Sequence, residues 1–354
     1  MDFPSSAIAR CCRRRGKVGG PKDTAAPMIE IELKFQVPAA ARDAVAKAMA
    51  SGRSERTRLQ AVYYDTPDRR LAAASAAVRL RLEGSRWVQT AKAGDPHGMQ
   101  RHEHNAPVDG AADGPPPALD LARHQGTPVG GLIARALAGA APAPLFRTDV
   151  HRTHREVRAG KGTLELALDI GEITGGDRRW PLHELEIELV DGDPLAVLDA
   201  ASCWVARHGL WLDVRSKAER GDRVSRGVDT GEPVVASSWP ANPSLRQVAR
   251  LGLAHLLPNA SEVASGTFTP GHLLQVNDAL RRIVGTLPSF PEADPSWTPT
   301  LTGTLAATSD AATAVDALRQ PAFTQVLLAL QAVALVPEGQ PVTISCTMDP
   351  STFS

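Results

Sequence analysis

From Met28 to Val37 the chain reads Met-Ile-Glu-Ile-Glu-Leu-Lys-Phe-Gln-Val, an alternation of apolar and polar side chains that predicts a strand with one charged face. Pro38 then opens an alanine-rich stretch to Ala50, which is good helix material with proline near its first turn. The two-residue period returns at Ala61–Asp65, Ala77–Leu82, Trp87–Lys92 and Gln100–Val108, separated by Thr-Pro-Asp, Glu-Gly-Ser and Gly-Asp-Pro-His-Gly turns. A Pro-rich loop near Gly114–Pro117 and a helical segment around Leu132–Leu137 follow. Strands resume at Phe146–Val157, Thr163–Asp169 and Leu182–Val190, and a helix is expected from Pro194 to His208. Short strands joined by turns of this kind are antiparallel in style.

Beyond Val224 the texture changes. Gly-Val-Asp-Thr-Gly-Glu-Pro and Ser-Ser-Trp-Pro read as a linker, followed by helices at Leu245–Leu257 and His272–Val284. Residues after Pro288 are weakly patterned and read as disordered. The opening stretch, with Cys-Cys-Arg-Arg-Arg and Gly-Gly-Pro, has the composition of a tail, and Met28 is a candidate start. The expected organisation is a disordered extension at 1–27, an ordered domain at 28–224, a linker at 225–243 and a helical region at 244–354.

Composition narrows the function classes. A chain of 354 residues is longer than a single core usually supports. Its 39 basic residues balance 39 acidic ones, so no global charge favours nucleic acid or a membrane surface. Cys11, Cys12, Cys203 and Cys346 lack paired metal-ligand spacing, which fits a reducing, cytoplasmic setting. No segment has the apolar length of a bilayer span or of a signal-peptide core.

On a strand, residues two apart share a face. Glu30, Glu32 and Lys34 therefore project together, as do Arg79 with Arg81, Glu165 with Asp169, and Glu184 with Glu186 and Glu188. Each strand carries apolar residues on its other side, among them Leu33, Leu80, Leu166 and Ile187. Two arrangements satisfy this pattern. The charged faces are solvated on an ordinary sheet, or they point into a hydrated barrel where carboxylates hold divalent cations and arginines clamp phosphate oxygens.

Glu30-Ile31-Glu32-Leu33-Lys34 resembles the Glu-x-Glu-x-Lys signature of the CYTH superfamily of triphosphate tunnel metalloenzymes. The resemblance continues through Tyr63-Tyr64-Asp65-Thr66-Pro67, Arg79-Leu80-Arg81, Lys92 and Gln100-Arg101-His102-Glu103. Phe146-Arg147-Thr148-Asp149-Val150-His151-Arg152, Leu164–Asp169, Glu184–Glu188 and Ser216-Lys217-Ala218 complete it in family order. It implies an α+β fold, an eight-stranded antiparallel barrel with flanking helices and a short helical C-terminal region. It also implies that Glu30, Glu32, Glu186 and Glu188 bind Mg²⁺ or Mn²⁺, assisted by Asp169 and Glu165. Lys34, Arg79, Arg81, Lys92, Arg152 and Lys217 are then the substrate-binding set, with Glu30, Glu32 and Lys34 as the catalytic group. Glu184 and Arg101 fall toward the tunnel ends.

The activity implied is hydrolysis of a small triphosphate, inorganic tripolyphosphate to pyrophosphate and phosphate, with no nucleic-acid or membrane partner. Thiamine triphosphatase, a CYTH-type adenylate cyclase and a non-catalytic phosphate or polyphosphate binder are the alternatives. Two tyrosines and seven phenylalanines offer little for base stacking, which favours a substrate without a nucleobase. No Ser/His/Asp or Cys/His constellation and no Gly-x-x-x-x-Gly-Lys loop is present. His102, His104, His151 and His154 receive no catalytic role. Leu245–Leu257, Asn259-Ala260 and Gln275–Arg282 resemble the start of a CHAD domain, a helical module associated with polyphosphate. Leu274 and Asn277 depart from its pattern, the length is short, and no lysine follows Lys217, so the resemblance implies a truncated or degenerate copy.

Overall fold

A computed structural model describes residues 28–94 and 99–340, together with 342, 344, 346 and 348. The expected extension at 1–27 lies outside the described residues. In chain order the elements are β1 (Met28–Gln36), α1 (Arg42–Ala50), β2 (Glu55–Asp65), α2 (Arg70–Ala73), β3 (Ala76–Glu83), β4 (Arg86–Gly94), β5 (Gln100–Val108) and α3 (Pro128–Leu137). They continue with β6 (Ala143–Ala159), β7 (Gly162–Gly175), β8 (Arg178–Gly192), α4 (Leu195–His208), β9 (Trp211–Leu212) and α5 (Lys217–Arg226). The helical region comprises α6 (Leu245–Ser265), α7 (Pro270–Thr286), α8 (Trp297–Ala307), α9 (Ala311–Leu318) and α10 (Pro321–Leu335).

Strand β1 closes the sheet on itself. It pairs with β8 through Glu32–Gln36 and with β5 through Met28–Ile31, so the order β1-β5-β4-β3-β2-β6-β7-β8 returns to β1 as an antiparallel eight-stranded barrel. The two residues of β9 add a bridge to Phe35 and Gln36.

The position of the apolar core decides which face of the barrel is charged. Leu33, Phe35, Leu164, Leu166, Leu168, Leu185 and Ile187 are buried in one cluster with Val45 and Met49 of α1, Val197, Leu198 and Trp204 of α4, and side chains of α6, α7 and α10. These strand residues therefore point outward, under helices, and their alternating neighbours point into the lumen. The strand faces under these helices are apolar and the alternating faces carry the charges into the lumen, beside an apolar patch of Leu59, Tyr63, Phe146, Val150, Ile173 and Leu182 on that same inner face, which selects the second of the two arrangements open from the sequence. Each fully covered Leu or Ile on that outer face stabilises the fold by about 1.5–3 kcal/mol.

Two expectations are corrected. Among the described residues the region after Pro288 is not disordered, since α8, α9 and α10 occupy 297–335. Helix α10 buries Phe323, Val326, Leu327, Leu328 and Leu330 and is apolar on most faces, so it carries no helical period to read. Helix α6 runs through Pro258 to Ser265, beyond the expected end at Leu257. Proline there removes the donor to the carbonyl of Ala254, and the next residue, Asn259, ties the helix to the preceding loop, its Nδ2 donating to the carbonyl of Val234 at 2.9 Å. A disulfide joins Cys203 of α4 to Cys346, across 143 residues, a pairing that the spacing of the four cysteines did not suggest. No helix among the described residues is long and apolar enough to cross a membrane.

Outside the barrel wall, His104 of β5 and His124 form a buried pair with Nδ1 atoms 2.8 Å apart. Gln89 fixes their tautomers. Its Oε1 accepts from the amide of Asp120, so its Nε2 is the group that donates to the carbonyl of Asp120 and to Nε2 of His124. His124 must then carry its proton on Nδ1 and donate it to His104. A second proton on either ring would set N–H against N–H. Burial, and for His124 also the neighbouring His104, lowers both values, His124 to about 4 against an ordinary 6.5. A histidine depressed in the folded state leaves the unfolded chain binding more protons, so stability is full above about pH 6.5 and is lost toward pH 4. The loss expected from this pair is about 2–3 kcal/mol. Denaturant titrations between pH 7 and 5 measure it, and His124→Gln should flatten the slope.

Candidate active site

The strand register assembles the lumen. Glu32 lies opposite Glu188, Lys34 opposite Glu186 and Gln36 opposite Glu184 across the β1–β8 pair. Across β7–β8, Glu165 meets Glu188 and Asp169 meets Glu184. Arg152 on β6 lies opposite Asp169, Lys92 on β4 opposite Glu103 on β5, and Arg101 opposite Glu30. Arg79 and Arg81 of β3 lie opposite Tyr63 and Ala61 of β2.

These charges form two neighbourhoods. In the first, the Lys92 ammonium donates to Glu30 at 2.6 and 2.7 Å and lies 3.3 Å from Glu103, while Arg101 donates to Glu32 at 2.7 Å. Burial and the Glu32 charge push Glu30 well above the ordinary carboxylate range. Burial, with the charge of Glu103 beside it, raises Glu188 to about 7. For Glu32 the effect of burial is outweighed by Lys92, Lys34 and Arg101, and it is held low. Glu103, also buried, is held low by Lys92. Acidic groups forced upward beside ionised ones mark a site with too little positive charge between its carboxylates, and the donors are all oxygens. That donor set suits a hard divalent cation.

In the second neighbourhood, Arg152 makes a forked pair with Asp169, both bonds at 2.7 Å, and reaches Glu186 at 2.5 Å. The Lys217 ammonium lies 2.7 Å from Asp169 and 2.7 Å from Glu186 and also contacts Glu184. Oxygens of Asp169, Glu184 and Glu186 lie within 4.8 Å of one another, close enough to share a cation. Burial would raise Asp169 and Glu186, but Arg152 and Lys217 outweigh it and both are lowered.

Lys217 is delivered by α5, a helix absent from the sequence reading. Ser216 caps it, its hydroxyl accepting from the amide of Glu219. The helix packs across β6, β7 and β8. Gly221 allows the approach, because a Cβ there would sit 2.1 Å from the Phe146 ring. Arg220 of the same helix contacts Glu184, and Arg69 pairs with Asp222. The Tyr63–Pro67 segment also gains a physical role. Asp65 accepts from the amides of Thr66, Leu71 and Ala72 and so shapes the turn into α2, while the Tyr63 hydroxyl accepts from Arg79 at 2.9 Å.

All of the sequence-derived candidates thus lie on lumen-facing strand positions or, for Lys217, at the helix that enters the lumen. The structure does not gather the expected metal set into one point. Glu30, Glu32, Glu188 and Glu165 lie on the Lys92 and Arg101 side, and Glu186 and Asp169 sit with Arg152 and Lys217. Arg81 pairs with Glu83 at 2.8 Å, and Glu165 lies 3.6 Å from His154. Glu103, Arg220 and Tyr63 were not assigned from the sequence. Glu103 was accessible to the two-residue rule through Arg101, whereas Arg220 required knowledge of α5.

Known proteins bear on this barrel as follows. A family model described as the CYTH domain matches residues 28–221. An inorganic triphosphatase from Haemophilus influenzae is 28% identical over 163 residues, 45% of this chain and 44% of that protein. The chain therefore spans less than half the length of this curated relative. A candidate adenylyl cyclase from Hippeastrum, described as having a dominant triphosphatase activity, is 16% identical over 56% of this chain and 96% of its own, with a TM-score of 0.38. A candidate adenylate cyclase from Bacillus halodurans is 17% identical, covering 55% and 98%, with a TM-score of 0.38.

Proposed function

The chain belongs to the CYTH domain family, and from that premise we propose that it hydrolyses a small triphosphate in the barrel lumen, inorganic tripolyphosphate before others. The observation that carries the reading is the closed barrel whose inner face sets oxygen-only acidic groups beside arginines and lysines. A highly charged polyanion is the ligand whose charge such a lumen can complement, and few other solutes justify burying so many ions. The inorganic triphosphatase activity of the Haemophilus influenzae relative supports the substrate class.

Glu30, Glu32 and Glu188, with Glu165, Asp169 and Glu186 nearby, would hold Mg²⁺ or Mn²⁺. A bound divalent ion supplies charge neutralisation at phosphate oxygens and activation of water. The chain's own residues do the rest. Arg79, Arg81 and Arg152 present planar guanidinium groups that match phosphate oxygens two at a time, and Lys92 and Lys217 add point charges. Lys34, opposite Glu186 and close enough to Glu32 to lower it, helps hold Glu32 ionised. Together these groups favour negative charge that grows on the leaving phosphate. The expected products are pyrophosphate and phosphate, with no covalent enzyme intermediate.

We assign 28–224 to the tunnel domain, 225–243 to a linker and 244–354 to a partial or degenerate CHAD-like helical region, in which polyphosphate binding is possible but doubtful. Phosphate release from tripolyphosphate, ATP and thiamine triphosphate, with product identification, tests the substrate reading. Tripolyphosphate turnover above the other two supports it. Cyclic nucleotide with pyrophosphate from ATP would assign a cyclase instead.

A further inference from the structure

The segment that enters the lumen is held from behind by a residue far outside the family-matched span of 28–221. Arg215 and Arg223 bracket the start and the end of α5, and both guanidinium groups are almost completely buried. They converge on one carboxylate of α6, that of Glu262, which is itself 2% exposed. Arg215 Nη1 donates to Glu262 Oε2 at 3.2 Å, and Arg223 Nη1 contacts Oε1. Asp213 takes the other edge of Arg215 in a fork of 2.9 and 2.8 Å, and Glu219 takes the other arm of Arg223 at 2.5 Å. Two more α6 side chains tie the same segment. Ser265 Oγ accepts from Arg215 at 3.1 Å, and Ser261 Oγ accepts from the amide of Val214 at 3.1 Å. Between the bracketing arginines stand Lys217 and Arg220, the two cations that α5 brings to Asp169, Glu184 and Glu186.

We propose that Glu262 is a positioning residue for the lumen, fixing α5 through Arg215 and Arg223 so that Lys217 and Arg220 meet the lumen carboxylates. The helical region is then a working part of the tunnel and not an independent module behind a linker. Loss of the shared carboxylate leaves Arg215 with Asp213 and Arg223 with Glu219, each buried cation one partner short, and the two stand just before and in the last turn of the same ten-residue helix. The catalytic consequence rests on the triphosphatase reading, whereas the positioning itself does not.

Two readouts on the full-length protein separate them. Glu262→Gln keeps the shape and removes the charge, and Glu262→Asp keeps the charge. In Glu262→Gln the amides of Lys217–Arg226 should exchange hydrogen about tenfold faster or more while those of β7 and β8 are unchanged, with Glu262→Asp close to wild type. Unchanged exchange in α5, or an even rise throughout the chain, would overturn the proposal whatever the protein catalyses. With tripolyphosphate and Mg²⁺ or Mn²⁺, Glu262→Gln should lower kcat/KM by about 10- to 100-fold, and the same change in a Lys217→Met background should cost less than about threefold. Equal losses in both backgrounds would mean that Glu262 does not act through Lys217 and would overturn its catalytic role as proposed. Absence of turnover by wild type would sink the triphosphatase reading and leave the exchange result to decide the positioning.

Discussion

Lys217→Met is expected to cost two to three orders of magnitude in triphosphate turnover and to invert how the protein responds to acid. The ammonium lies among Asp169, Glu184 and Glu186, all buried, and Arg152 is shared between only the first and last of these. Removing one partner of such a buried group typically costs about 3–5 kcal/mol, because uncompensated charge is left behind. In the wild type, Asp169 and Glu186 are lowered below their ordinary values, although burial opposes it, by Arg152 and Lys217. Their contribution is therefore present above about pH 4 and is lost as pH falls through the lower folded values. Without Lys217 only Arg152 is left to serve both Asp169 and Glu186, so the pair takes up a proton on folding. The variant should gain stability on acidification from pH 7 to 5, after allowance for the His104–His124 slope. Denaturant melts of both proteins across that range measure this. The vacated trio should also become a divalent-cation site, so that Mg²⁺ raises the variant's melting temperature more than the wild type's.

Glu32→Gln should reduce metal-dependent turnover by about 10³-fold or more while the barrel stays folded. Glu32 is held ionised despite burial by Lys92, Lys34 and Arg101, so it is a charge and not merely a shape that the substitution deletes. Glutamine preserves volume, and losing one carboxylate relieves repulsion on Glu30, whose elevation comes from burial first and Glu32 second. Arg101 loses its carboxylate partner in the exchange, so the metal-free variant should melt below the wild type while the barrel remains folded. Metal binding to the wild type should release protons, since Glu30 stands well above its ordinary value and Glu188 is near 7. Affinity for Mn²⁺ should then fall as pH drops from 8 to 6, by about tenfold per unit for each proton displaced. Calorimetry in buffers of different ionisation enthalpy detects that release, and a pH-independent affinity would count against carboxylate ligation here.

The barrel was legible because its strands are amphipathic in the simplest way. Glu30, Glu32 and Lys34 alternate with Ile31, Leu33 and Phe35, and the same period on the other strands placed every carried-over charge on one face. The period alone could not say which face was inside. That depended on where the helices pack, and the cluster of Leu33, Phe35, Leu166 and Ile187 with α1 and α4 answers it. Helix α5 escaped notice because Lys-Ala-Glu-Arg-Gly-Asp-Arg-Val is polar nearly throughout, with Arg220 and Arg223 buried as ions against Glu184 and Glu262. A hydrophobic period cannot reveal a helix whose buried side is charged. The α8–α10 region was missed for other reasons, α10 being apolar on most faces and α8 and α9 being short, Thr- and Ala-rich segments that bury few residues. Pairings between Glu262 and Arg215, or Cys203 and Cys346, join residues 47 and 143 positions apart and leave no local trace.

The account depends on the lumen being a metal-assisted triphosphate site. The direct test is phosphate release from tripolyphosphate by the full-length protein, with Mg²⁺ or Mn²⁺ and again with chelator, beside Glu32→Gln. Turnover that requires the metal and disappears in the variant is the predicted result. No turnover of any triphosphate with either metal, or turnover that survives Glu32→Gln unchanged, would contradict the account and leave the barrel as a phosphate-binding protein or place the activity elsewhere in the chain.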